Sequence, residues 1–353
     1  MPPEWSKHKG TWLSYPHNPD TFFEKIDNVR DKYTDMVKLL SECEEVHINV
    51  NDEEMESDVL SRLKDKKANL NNVFIHRFPT NDAWCRDHGA IFVLDRDENK
   101  LVALDFKFNA WGGKYPYELD NEIPKKMAEY LNVERIEIDM VLEGGSIDVN
   151  GNGLLLTTES CLLNPNRNPS MSKEEIEENL KYYFGVEKVL WLKEGIVGDD
   201  TDGHIDDITR FISENTVITV VEENTNDENY PILKENYEML KTFTDIKGNK
   251  LNIITLPMPD PVYYKGDRLP ASYANFYISN KYVIVPIFNC DKDKMALEIL
   301  QSVFTDRVVV GIDASDIVVG LGTFHCLTQQ IPYVWPFQKQ ISSFCSRRRI
   351  YYL

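Results

Sequence analysis

Positive charge is scarce in this sequence: 39 Lys and Arg face 58 Asp and Glu, a net charge of −19. Binding a phosphate backbone needs clustered basic residues, so nucleic acid is not an expected partner. A small cation, drawn in by a negative field, is compatible with the balance. No apolar run is long enough to span a bilayer, and the start, Met1-Pro2-Pro3-Glu4-Trp5, has no charged stretch leading into an apolar one. Neither a membrane span nor a signal peptide is therefore expected. The six cysteines, Cys43, Cys85, Cys161, Cys290, Cys326 and Cys345, form no Cys-x-x-Cys pair. That speaks against a zinc ribbon and a disulfide scaffold, and a reduced, cytoplasmic protein is the expectation. The seven histidines include no His-x-His or His-Glu-x-x-His, so a catalytic metal is not expected. No Ser/Gly linker or low-complexity run divides the chain, and residues 1–353 read as one domain. The basic run Arg347-Arg348-Arg349 reads as a solvated tail.

What is present is a recurring order. The strand Thr11–Tyr15 is followed by a helix over about 21–40, with Phe22, Ile26, Val29, Tyr33, Met36, Val37 and Leu40 at helical spacing. A strand at Val46–Val50 follows. Helix-then-strand units recur five times, with helix starts expected near residues 21, 122, 172, 230 and 292. Ser172 and Glu175 form the capping box of the third. Identity between units is negligible, so the repeat is one of architecture. After several units the strand runs into a Gly- and Asp-rich loop. Units set around an axis would bring those loops together.

The loops hold the chemistry. Gly320-Leu321-Gly322-Thr323-Phe324-His325-Cys326 places a thiol after glycines that permit close approach. Taken alone, Cys326 reads as a small buried hydrophobe. Asp87, in Trp84-Cys85-Arg86-Asp87-His88-Gly89, suits a cation packed on the Trp84 ring, or equally an Arg–Asp pair at a turn. Glu143, in Leu142-Glu143-Gly144-Gly145-Ser146, reads alone as a hairpin turn. In the acidic run from Gly198 to Asp207, an extended backbone would place His204 and Asp206 on one face, a histidine whose protonation a carboxylate tunes. A calcium loop fails there, because Gly198 and Thr209 would occupy positions that need Asp and Glu. Together these residues form the set expected for covalent attack on a cationic carbon centre. His325 is not favoured as the base, since on an extended backbone it would point away from Cys326.

These motifs, with Phe108-Asn109-Ala110-Trp111-Gly112-Gly113 and Leu162 to Pro169, closely resemble the agmatine deiminase family, within the guanidine-modifying superfamily that also holds arginine and peptidylarginine deiminases. The match runs from Glu4-Trp5 to Gln329-Gln330-Ile331-Pro332. The resemblance implies an α/β fold, a five-bladed pseudo-symmetric α/β propeller (the pentein fold) with its active site in a central channel. It implies hydrolysis of agmatine without metal or organic cofactor. By motif, Cys326 would be the nucleophile and His204 the general acid and base. Asp87 and Asp206 would grip the guanidinium, with Trp84 and Gly322 also at the substrate, and Glu143 would orient and charge the histidine. The family suggests a homodimer. One departure stands out: Leu321 replaces the middle of three successive glycines. Deimination of free arginine or peptidylarginine, a non-catalytic guanidine binder and a metal hydrolase are the competing readings. The first would need a partner for the arginine carboxylate, and no arginine is assignable to that role.

Overall fold

Parallel neighbours in a sheet need a crossover between them, and the helices are placed to supply it. The computed structural model describes residues 1–95 and 97–335. Cys345 and Arg347-Arg348-Arg349 lie outside the described residues. The strands in chain order are β1 (His8–Ser14), β2 (Glu45–Asn49), β3 (Val73–His76), β4 (Ile91–Asp95), β5 (Lys100–Lys107), β6 (Glu134–Val141), β7 (Asp148–Val149), β8 (Leu154–Thr158) and β9 (Lys188–Leu192). They continue as β10 (Thr209–Ser213), β11 (Thr216–Val221), β12 (Asn252–Pro257), β13 (Tyr263–Tyr264), β14 (Asp267–Arg268), β15 (Tyr277–Ile278), β16 (Tyr282–Ile287), β17 (Val308–Asp313) and β18 (Thr328–Pro332).

One plan repeats. In β4-β5-β6, β7-β8-β9, β10-β11-β12 and β15-β16-β17 the first two strands are antiparallel and the last two parallel. The crossover helices are Ile123–Leu131, Lys173–Phe184, Asn229–Leu240 and Lys292–Val303. The fifth sheet has the order β18-β1-β2-β3, with helix Ile26–Ser41 as its first crossover. Its antiparallel member comes from the far end of the chain: β18 pairs with β1, with Trp12 opposite Gln329. The first and last segments thus complete a single sheet.

Local chemistry accounts for the boundaries. The helix expected over about 21–40 is broken. Asn18 caps a short turn, Pro19–Phe22, that ends at Phe23 with φ of 49°, and the long helix restarts at Ile26. A left-handed aromatic residue cannot continue a right-handed helix. The inner face of Ile26–Ser41 buries Val29, Tyr33, Met36, Val37 and Leu40, the positions its periodicity marks. The expected capping box is present, Ser172 Oγ accepting from the Glu175 amide and Glu175 Oε2 from the Ser172 amide. Among the described residues no helix is long and apolar enough to cross a membrane.

Candidate active site

Each sheet's outer parallel strand is followed by a loop that turns back before the next unit begins, and all five loops carry a candidate side chain. Asp87 follows β3 on the helical turn Cys85–His88; Glu143 and Gly145 follow β6. His204 and Asp206 follow β9, on either side of the start of the turn Ile205–Asp207. Asn275 follows β12 and the small β13-β14 hairpin, and Cys326 follows β17 on the turn Phe324–Leu327.

Gly145 marks where three of them meet. A Cβ at this position would lie 2.6 Å from His204 Nδ1, 2.8 Å from Asp87 Oδ1 and 3.0 Å from Asp206 Oδ2. Only a residue without a side chain leaves that space open. Asp87 is fixed by two neutral donors: the Gly145 amide gives to Oδ1 at 3.0 Å and Trp111 Nε1 to Oδ2 at 3.0 Å. The Cys326 thiol faces Asp206 Oδ2 at 3.7 Å and accepts from Asn275 Nδ2 at 3.1 Å. Both ring nitrogens of His204, Glu143 Oε2 and Asp206 Oδ1 are buried without a hydrogen-bond partner among the described residues. Buried polar groups are rarely left so, and these are the atoms available to a ligand.

Cys326 lies at a cavity of about 630 Å³ whose lining includes Asp87, Trp84, Trp111, Gly322 and Leu321. Its acidic residues are Asp20, Asp82, Asp87, Asp120, Asp200 and Asp267, and Lys265 is the only Lys or Arg among the described lining residues. Trp84 packs so closely on the nucleophile loop that a Cβ on Gly322 would meet its ring at 2.7 Å. Leu321, between the loop's glycines, is left-handed at φ 70° and ψ 19°.

Two expected backbone conformations need correction, and two supporting side chains were given no role from sequence. The backbone at His204–Asp206 is not extended: His204 leads into a 3-10 turn, and its amide is held by Asp199 Oδ2 at 3.0 Å. His204 and Asp206 come together through that turn instead. Glu143 Oε1 accepts from Arg167 Nε at 2.5 Å. Arg167, inside a quoted motif but assigned no role from sequence, is the side chain that holds Glu143. Asn275 was missed altogether. Its one available signal was position, the same loop in the fourth unit that supplies a side chain in the other four. His325 lies in a helical turn, not an extended segment, and its Nδ1 reaches Asp206 Oδ2 at 2.6 Å.

The electrostatics are uneven. Burial pushes the Cys326 thiol well above its usual range, and Asp206, Asp207 and Asp87 push it further. Burial lowers His204 to about 3, so the ring is neutral. Burial, then the charges of Asp206 and Glu143, raise Asp87 well above the ordinary carboxylate range. Burial would raise Asp206 too, but the hydrogen bond and charge of His325 more than offset it. Glu143, Cys161 and His204 bring one ligand atom each within 4.8 Å of one another, the cluster that comes nearest to a metal set among the described residues. A shared zinc would need each of those atoms within about 2.0–2.3 Å of it. Here Glu143 is committed through one oxygen to Arg167.

Residues 1–332 match the family model described as Porphyromonas-type peptidyl-arginine deiminase. A Latilactobacillus sakei protein named "Putative agmatine deiminase" is 38% identical, over 94% of this chain and 95% of its own length. The agmatine deiminase of Enterococcus faecalis superposes with a TM-score of 0.88 at 34% identity, covering 94% of this chain and 95% of that one. A cysteine-to-serine variant of the C. jejuni agmatine deiminase with substrate bound superposes with a TM-score of 0.85 at 36% identity, covering 95% and 96%.

Proposed function

The chain belongs to the Porphyromonas-type peptidyl-arginine deiminase family, its similar relatives include proteins named agmatine deiminase, and from that premise we propose that it hydrolyses agmatine to N-carbamoylputrescine and ammonia. The observation that carries this reading is the meeting of Cys326, Asp206, Asp87 and His204 beside Gly145, at a cavity rich in carboxylates. The substrate-bound cysteine variant of a relative supports a cysteine in the chemistry. The five like sheets support a five-bladed propeller built as one catalytic domain, with the five loops facing a central channel. Action in the cytoplasm, in putrescine formation, and as a homodimer belongs to the same reading.

The chemistry follows from the charges. A guanidinium is resonance-stabilised and a poor electrophile. Asp206 and Asp87 accept its N–H groups and present the central carbon to Cys326 through charge-assisted bonds. The cation also offsets the carboxylates that hold the thiol protonated, so Cys326 ionises when substrate arrives. Neutral His204 cannot begin as an acid; it takes the thiol proton. Sγ attacks the carbon, and the proton passes from His204 to the departing nitrogen. Ammonia leaves, and the carbon remains as a thiouronium on Cys326. Water attacks next, giving one proton to His204; the C–S bond breaks as the remaining hydroxyl proton passes to Sγ, the neutral ureido product leaves with the thiol restored, and His204 gives its proton to the solvent. No metal or organic cofactor is needed for these steps.

Agmatine is preferred over arginine because the cavity carries Asp20, Asp200 and Asp267 in addition to Asp82, Asp87 and Asp120, whose carboxyls burial pushes up. Agmatine's distal ammonium is attracted there, whereas an arginine α-carboxylate is repelled. The test is ammonia release from agmatine, arginine and a blocked arginine peptide at equal concentration. Agmatine should be turned over fastest. Faster release from either arginine compound would replace the reading.

A further inference from the structure

His325, next in sequence to Cys326, is not among the side chains lining the cavity, and it is held from behind. Its Nδ1 is 2.6 Å from Asp206 Oδ2 and its Nε2 is 2.7 Å from Glu4 Oε2. His325, Asp206 and Glu4 are exposed by 2%, 0% and 4%, so water does not separate or screen them. A neutral imidazole has one N–H and could donate to only one of the two carboxylates. Glu4 is in no position to donate to the other nitrogen. Its Oε2 also accepts from Arg210 Nη2 at 2.9 Å and Arg86 Nη2 at 3.3 Å, and its Oε1 accepts from the Ile278 amide at 2.8 Å. Asp206 Oδ2 faces the Cys326 thiol as well, while its Oδ1 has no partner among the described residues. Both contacts are satisfied when the ring donates from both nitrogens.

We propose that Glu4 and His325 are a positioning pair for Asp206: the Glu4 carboxylate holds His325 as an imidazolium, which fixes Asp206 Oδ2 and leaves Oδ1 for the substrate guanidinium. The pair sits 321 residues apart in sequence. Near Asp206 stand the carboxylates of Asp87, Asp199 and Asp207, and the imidazolium supplies the closest opposing charge. Neither residue of the pair touches substrate. The proposal rests on the reading that Asp206 grips a guanidinium.

The direct test is ¹⁵N NMR of histidine-labelled protein near neutral pH, the His325 signal being assigned by its absence from His325→Gln. Wild type should show both ring nitrogens of His325 protonated, and Glu4→Gln a ring with one N–H. For Glu4→Gln, kcat/KM on agmatine should fall about 100-fold, with KM raised as well as kcat lowered, because the gripping carboxylate is no longer held in place. A neutral His325 in wild type overturns the pair, as does Glu4→Gln with unchanged kinetics. If Glu4→Gln does not fold, the wild-type spectrum alone decides. If wild type shows the imidazolium yet releases no ammonia from agmatine, the pair stands and the substrate reading falls.

Discussion

Asp206 and Asp87 bring one oxygen each to within 3.0 Å of the same point above Gly145, yet their surroundings are opposite in sign. Asp206 leans on the His325 ring, with Arg210 beyond it, and is held below the ordinary carboxylate range although burial works against that. Asp87 has only neutral donors, the Trp111 indole and the Gly145 amide. Burial and the neighbouring carboxylates push it well above that range. One side of the site is therefore charged at rest and the other waits for a cation. Two like carboxylates so close need not both be ionised until the substrate arrives. The empty site avoids much of the repulsion that two fixed charges would bring.

The comparison can be broken outright at the thiol both carboxylates serve. Cys326→Ala should lose agmatine turnover to background in an ammonia assay while still binding agmatine by calorimetry. Loss of binding as well would mean that the thiol, and not the carboxylates, holds the ligand. Next in size is Gly145→Ala. Its methyl would push against His204, Asp87 and Asp206 together. A fall of about 100-fold in kcat/KM is expected, as for a displacement near 1 Å; a neutral result would mean the loops yield freely.

Asparagine at each carboxylate sharpens the contrast. Asp206→Asn removes the counter-charge of a buried cation and should cost about 3 kcal/mol of stability in denaturant titration. Asp87→Asn loses one neutral hydrogen bond and should cost about 1 kcal/mol. Both should raise KM for agmatine. Equal losses of stability would show that the two sides are held alike. A pH experiment follows from the raised Asp87. Guanidinium binding favours its ionised form, so binding releases a proton wherever Asp87 is still protonated in the free protein. Agmatine affinity for Cys326→Ala should rise with pH across that window and level off above it. Calorimetry in two buffers of different ionisation heat measures the released proton, and no difference between the buffers would show that Asp87 is already charged. The smallest effect concerns Leu321. Its left-handed backbone costs about 1–2 kcal/mol, but glycine brings its own entropic cost of about 0.5–1 kcal/mol. Leu321→Gly should therefore raise stability by less than about 1 kcal/mol in thermal melts.

Much of the architecture was legible in the sequence because crossover helices have a strong period. The five helix starts expected near 21, 122, 172, 230 and 292 fall at Ile26, Ile123, Lys173, Asn229 and Lys292. The shift of the first to Ile26 came from Phe23, whose left-handed backbone leaves no mark in composition. The loops were legible as Gly- and Asp-rich stretches, and Cys326, His204, Asp87 and Asp206, singled out from them, come together in the structure. The supporting side chains were not. Glu4 opens the family match but was given no role, Asn275 stands in a segment with no local motif, and the partners of both lie across the chain. His325 was misjudged because a four-residue helical turn is too short to show periodicity, so an extended backbone was assumed. Arg167 was visible in a motif, but its partner Glu143 is 24 residues away.

The pairing of β18 with β1, and of His325 with Glu4, also has a meaning in time. Synthesis runs from the N-terminus, so earlier segments are made before the later partners they pack against. Glu4 is made before its partners, and Arg86 and Arg210 can hold its carboxylate before the imidazole of His325 arrives. The first sheet lacks its antiparallel member, and the site its thiol, until the ribosome has passed residue 332. A stalled or truncated product is thus a catalytically silent chain with an open sheet edge, a template for pairing with another chain. Activity cannot begin before Cys326 and β18 have both been made.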